Sequence, residues 1–181
     1  MDEHDEGPGS PEMQGPSTVD AATGWEVDQL LSRYVHAIDN GAWDELAAVF
    51  TPDAEFVALR GTVRGIDEIR DYIRAVQNLP SHHIVNTVLR PGPGGSVHAW
   101  SRLITVGFDA GAGTGDYTDL LVPTADGLRI ARRRVRVRNR ADASPDGSPW
   151  PTATFAVWES DRAEAERVEA ERVQAGRRRR G

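Results

Sequence analysis

WEVDQLLSRYVHAIDNGAWDELAAVFTPDA, residues 25–54, carries one long periodicity, one short one and two stops. Val27, Leu30, Leu31, Tyr34, Ala37 and Ile38 recur at spacings of three and four, which predicts an amphipathic helix beginning near Trp25 with that face turned to a core. Asn40-Gly41 ends it, because glycine adopts most readily the backbone conformation that closes a helix. Trp43 to Phe50 predicts a second, short helix. Thr51-Pro52-Asp53 stops that one, since a proline pushes the residue before it out of the helical region.

Outward from this stretch, Glu55–Leu59 with Thr62-Val63 reads as a small extended segment that Gly65 breaks. Ile66, Ile69, Tyr72, Ile73 and Val76 predict a third helix to about Asn78, closed by Pro80. The period then changes. Four strands are predicted, His82–Arg90, Ser96–Phe108, Tyr117–Val122 and Leu128–Arg138, divided by glycine-rich turns such as Pro91-Gly92-Pro93-Gly94-Gly95. Helices followed by adjacent strands on short loops favour an α+β domain, with the helices packed on one face of a curved, mostly antiparallel sheet. That domain is expected over residues 23–140. Residues 1–22, rich in Gly, Pro, Ser and acids, are expected to be a disordered acidic tail. Residues 141–181 read as an extension of little consequence: a loop over 141–151, an edge strand over Thr152–Trp158, a charged, solvent-exposed helix over Glu159–Gln174, and a solvated basic end at Arg177–Arg180.

Composition narrows the function. A chain of 181 residues, 39% apolar, suits one domain with a sizeable core. The absence of cysteine removes disulfides, a thiolate nucleophile and any cysteine-based zinc site. The acidic start does not look like a secretory signal, and no apolar run approaches the roughly 18 residues of a membrane span, so a cytoplasmic protein without membrane contact is expected. A net charge of −7 argues against nucleic-acid binding. All 21 basic residues are arginine, several of them clustered from Arg129 to Arg140, and on a strand such a cluster reads as a solvated or salt-bridged sheet face.

Five segments, in this order and spacing, resemble the SnoaL-like members of the nuclear transport factor 2-like superfamily, which includes scytalone dehydratase. They are Arg33-Tyr34 with Asp39; Trp43-Asp44-Glu45-Leu46 with Val49-Phe50-Thr51-Pro52-Asp53-Ala54; His82-His83-Ile84-Val85-Asn86-Thr87; Gly115-Asp116-Tyr117-Thr118-Asp119; and Asp126-Gly127-Leu128-Arg129-Ile130-Ala131-Arg132. The resemblance spans roughly residues 25–140 and implies a cone-shaped α+β fold. It leaves activity open, because the superfamily holds dehydratases, isomerases, polyketide cyclases, oxygenase small subunits and non-catalytic binders.

Three side chains are candidates for catalysis. Tyr34 lies in the apolar stripe of the first helix and so faces the core, either as packing or, as the resemblance implies, as the group that polarises a substrate carbonyl. Asp39, about 140° further round an ideal helix, reaches the same cavity only because the helix is ending; otherwise it is a turn carboxylate bonding local amides. Strand alternation sends His82, Ile84, Asn86 and Val88 to one face and His83, Val85, Thr87 and Leu89 to the other, and parity alone does not choose between the histidines. The resemblance implies His82, with Asn86 as a polar, substrate-lining neighbour. An Asp39–His82 hydrogen bond would fix the tautomer and raise the basicity of the imidazole. The second histidine of scytalone dehydratase aligns with Gly107, and His98 points the other way. Asp119 reads as a salt-bridge partner of Arg132 or Arg134.

No nucleophile elbow, phosphate loop or His-Glu-x-x-His occurs, and adjacent strand histidines point apart, so neither a cofactor nor a metal is expected. The function expected is a SnoaL-like lyase or isomerase, of dehydratase or cyclase type, acting on a small apolar carbonyl compound such as a polyketide or steroid-like ring. The alternative is a non-catalytic ligand-binding or assembly subunit, for example of a ring-hydroxylating oxygenase. Trp100, Arg102 and Ile104 offer a surface for the homodimer common in the family.

Overall fold

The computed structural model describes residues 18–58, 60–76, 81–107, 110–138 and 155–178. The tail over 1–17, the loop over 141–151 and the Pro80 stop lie outside these residues. Helix α1 (Ala21–Asp39) is followed by a 3-10 helix (Trp43–Ala48), strands β1 (Phe50–Ala58) and β2 (Gly61–Arg64), and helix α2 (Ile66–Val76). Then come β3 (Ser81–Pro91), β4 (Val97–Val106), β5 (Ala112–Thr124), β6 (Gly127–Val137) and helix α3 (Phe155–Arg178).

The six strands form one sheet in the order β2-β1-β6-β5-β4-β3. Only the β1–β6 pair is parallel, so the expected α+β architecture with a mostly antiparallel, curved sheet holds. Helices α1 and α2 cover the concave face. Leu30, Leu31, Tyr34, Ile38, Phe50, Phe56, Ile69, Leu103 and Leu121 form the core between these layers, and burying each such side chain contributes about 1.5–3 kcal/mol.

Boundaries moved where a local interaction outweighed propensity. Helix α1 starts at Ala21 because Asp20 caps it: its Oδ1 accepts from the Thr23 amide at 3.0 Å. Phe50 belongs to β1, not to the preceding helix, and pairs with Ile130. Strand β5 runs well upstream of Tyr117 through Gly113 and Gly115. A Cβ on Gly115 would sit 2.5 Å from the Arg136 carbonyl oxygen, so that glycine permits close strand approach and is not a break.

The larger correction concerns the C-terminus. Phe155–Trp158 opens α3 and is not an edge strand, and α3 is not a free charged helix. It lies on the convex face of the sheet, where Trp158 is 2% exposed and its ring centroid is 5.6 Å from that of Trp100. Trp100 is therefore covered by the chain's own helix.

Candidate active site

Strand β3 leaves α2 and runs antiparallel beside β4, which brings its first residues against the C-terminal end of α1. His82 pairs with Thr105 across that ladder. Asp39, the last residue of α1, accepts two hydrogen bonds from His82: the backbone amide donates to Oδ2 at 2.8 Å, and ring Nδ1 stands 2.6 Å from Oδ1. The carboxylate sets Nδ1 as the protonated nitrogen, which leaves Nε2 with its lone pair. Both side chains are largely covered, at 11% exposure for His82 and 16% for Asp39. Asp39 is therefore not a local turn carboxylate; it braces His82 and does not itself line the cavity that holds Tyr34. His83 points to solvent, its Nε2 2.9 Å from Ser81 Oγ.

In front of His82 a cavity of about 580 Å³ opens between the sheet and the helices, lined by Tyr34, Ile38, Phe56, Tyr72, Leu103, Thr105, Tyr117 and Val135 among others. Such a volume is within the range of small-molecule sites. Among the described lining residues His82 is the one histidine and there is no carboxylate; Arg60 lies at an exposed position. Arg136 also borders the cavity, yet its guanidinium is paired with Asp161 on the opposite face of the sheet.

Tyr34 and Tyr117 meet edge to face, with centroids 5.9 Å apart. The Arg133 guanidinium lies 4.2 Å from the Tyr34 centroid and 4.1 Å from that of Tyr117, close enough for cation–π attraction. Asp119 holds Arg133 by two parallel hydrogen bonds, 2.8 and 2.7 Å, with both side chains fully buried. Burial pushes the Tyr34 phenol above its ordinary range, against the pull of the Arg133 charge and of hydrogen bonding with Tyr117. A tyrosine so placed keeps its proton and can donate it in a hydrogen bond.

Tyr34 and His82 thus share the cavity, with Asp39 behind the imidazole. Asn86 does not join them. A bulge between Val85 and Val88 breaks the alternation of β3, and Asn86 sits in it with φ 53°, exposed to solvent. The bulge also exchanges its neighbours, so that Leu89 packs on the core and Val88 against Trp100 and Trp158. Asp119 faces inward and pairs with Arg133, its direct cross-strand partner, because Arg132 and Arg134 project from the other side. The shared parity of Tyr117 and Asp119 was the available signal for this inner cluster; the identity of the arginine depended on register.

A cone of helices around a curved sheet, with its polar groups at the inner end of an apolar cavity, defines the class. The chain belongs to the SnoaL-like domain family, which matches residues 20–134. Comparison with curated proteins returns no significant match. Among solved structures the chain is similar to a protein of unknown function with a cystatin-like fold from Nostoc punctiforme, at 18% identity and TM-score 0.60, over 67% of this chain and 95% of that one. It is similar to ActVI-ORFA from Streptomyces coelicolor at 23% identity and TM-score 0.57, over 65% and 98%. A nuclear transport factor 2-like superfamily protein from Salmonella enterica matches at 17% and 0.53, over 64% and 90%. At these identities the likeness concerns the fold.

Proposed function

We propose that this chain is a SnoaL-like lyase or isomerase that performs acid–base chemistry on an apolar, carbonyl-bearing ring compound, of polyketide or steroid-like type. The observation that carries this reading is the His82–Asp39 pair at the wall of an apolar cavity of about 580 Å³. His82 Nε2 takes the proton next to the carbonyl, and Asp39 stabilises the imidazolium that forms. The electron pair moves onto the carbonyl oxygen, and the Tyr34 hydroxyl donates a hydrogen bond to the resulting enolate. His82 then returns the proton, either to a departing β-hydroxyl, which leaves as water, or to another carbon of the conjugated system.

A test that needs no knowledge of the natural substrate follows α-proton exchange of a cyclic aromatic ketone such as 1-tetralone in D2O by NMR. The protein should accelerate exchange, His82→Gln should remove about 10²–10⁴ of that acceleration, and Tyr34→Phe about 10²–10³. Saturable ketone binding without accelerated exchange would assign the chain to the non-catalytic binders instead.

A further inference from the structure

Helix α3 lies wholly outside the family match, which ends at residue 134. ActVI-ORFA is matched over 98% of its length by only 65% of this chain. This addition is nevertheless fitted to the sheet residue by residue. Trp158, Asp161 and Ala165, at helical spacing, are all buried against the convex face, and Glu164 flanks them. Beneath them Arg132, Arg134 and Arg136 project from β6 at strand spacing. Asp161 accepts from Arg134 at 2.9 Å, from Arg136, and from the Thr118 hydroxyl at 3.1 Å. Glu164 accepts from Arg132 at 2.6 Å and Arg134 at 2.9 Å, and Glu166 Oε1 is 2.9 Å from Nε2 of the buried His98. Trp158 packs on Trp100 with the rings tilted by 41°, and the Arg90 guanidinium lies 5.7 Å from the Trp158 ring centroid.

Two charge patterns with different repeats, acids on a helix and arginines on a strand, coincide here over one helical turn, at Asp161 and Glu164. A second copy could reach these arginines only by displacing α3, whose Asp161 and Glu164 already accept from them. The surface suits an acidic helix with an aromatic anchor. We propose that the convex sheet face is an acceptor site for an acidic amphipathic helix, that α3 is its resident ligand bound in cis, and that this chain is consequently a monomer with respect to that face. Tethering through residues 139–154 gives α3 an effective concentration that a free competitor must exceed. Of the residues expected to form a homodimer surface, Trp100 is taken up by this intramolecular closure.

The test uses the full chain, measured by sedimentation equilibrium and with a labelled synthetic peptide of residues 155–178. The wild-type chain should be monomeric and should ignore the peptide. Asp161→Arg with Glu164→Arg should release α3, shift tryptophan emission to the red and bind the wild-type peptide at least about tenfold more tightly than the wild-type chain does. Adding Arg134→Glu and Arg136→Glu to that variant should restore closure and abolish peptide binding. Should the double reversal fail to fold, Asp161→Asn is read by amide exchange, with α3 expected to exchange at least about tenfold faster than in the wild type. A wild-type dimer that dissociates in the Asp161→Arg, Glu164→Arg variant would overturn the proposal, because α3 would then be exchanged between chains. A folded, open variant that refuses the peptide, or unchanged exchange in Asp161→Asn, would overturn it equally.

Discussion

The carboxylate of Asp39 grips His82 twice, once through the main-chain amide and once through the ring, and so ties the end of α1 to the start of β3 across 43 positions of sequence. The amide bond fixes where the strand begins; the ring bond fixes which nitrogen faces the cavity. Asp39→Asn keeps a hydrogen-bonding side chain but loses the charge that supports an imidazolium. It should slow ketone α-proton exchange by roughly tenfold or more, less than His82→Gln does, while ketone binding changes little. Asp39→Ala should also destabilise the fold by about 1.5–3 kcal/mol, measured by urea unfolding, since it strands a partly buried amide and ring N–H.

Arg133 and Asp119 form a fully buried, bidentate pair at the back of the Tyr34–Tyr117 corner. Removing one partner leaves an uncompensated charge in the core, so Asp119→Ala should cost about 3–5 kcal/mol in denaturant unfolding. Replacing both, with Arg133→Met and Asp119→Leu, should cost less than the single change. A double variant as unstable as the sum of the two singles would refute this account.

Gly115 lies on β5 opposite Val137 of β6. Gly115→Ala directs a methyl at the Arg136 carbonyl 2.5 Å away, and backbone cannot rotate aside; a loss of about 1–3 kcal/mol in thermal or chemical unfolding is expected. At Gly113 the obstacle is the Thr105 hydroxyl at 2.6 Å, a side chain that can turn, so Gly113→Ala should be milder.

His98 is buried under α3, facing Glu166, Glu159 and Arg162, and burial together with the Arg162 charge lowers its pKa below 6.5. The unfolded chain therefore binds this proton more readily than the folded one. The contribution is intact above pH 6.5 and is lost as pH falls from 6.5 through the depressed native value. Thermal melts should show the wild type losing stability over that interval relative to His98→Gln. A parallel pair of curves would show that His98 does not titrate with folding.

Much of the fold was legible in residues 25–138, because the alternation of apolar and polar positions reflects one buried face per element and survives in any single sequence. Tyr34 on the core face of α1 and the helices-then-sheet order followed from such local spacing, whereas the contact between Asp39 and His82 was one of two readings left open for that carboxylate. Register did not follow from spacing. The bulge at Asn86 turned a predicted lining residue to solvent, and the pairing of β5 with β6 chose Arg133 over its two neighbours for Asp119. Nor did the sequence distinguish a solvated helix from a docked one: Asp161 and Glu164 look alike exposed or paired, and what buries them is a row of arginines on β6, a neighbour in space some thirty positions away. One-dimensional pattern determines which face of an element is apolar; which partner a charged face meets, and which nitrogen of a histidine looks into a cavity, is decided only when the chain closes on itself.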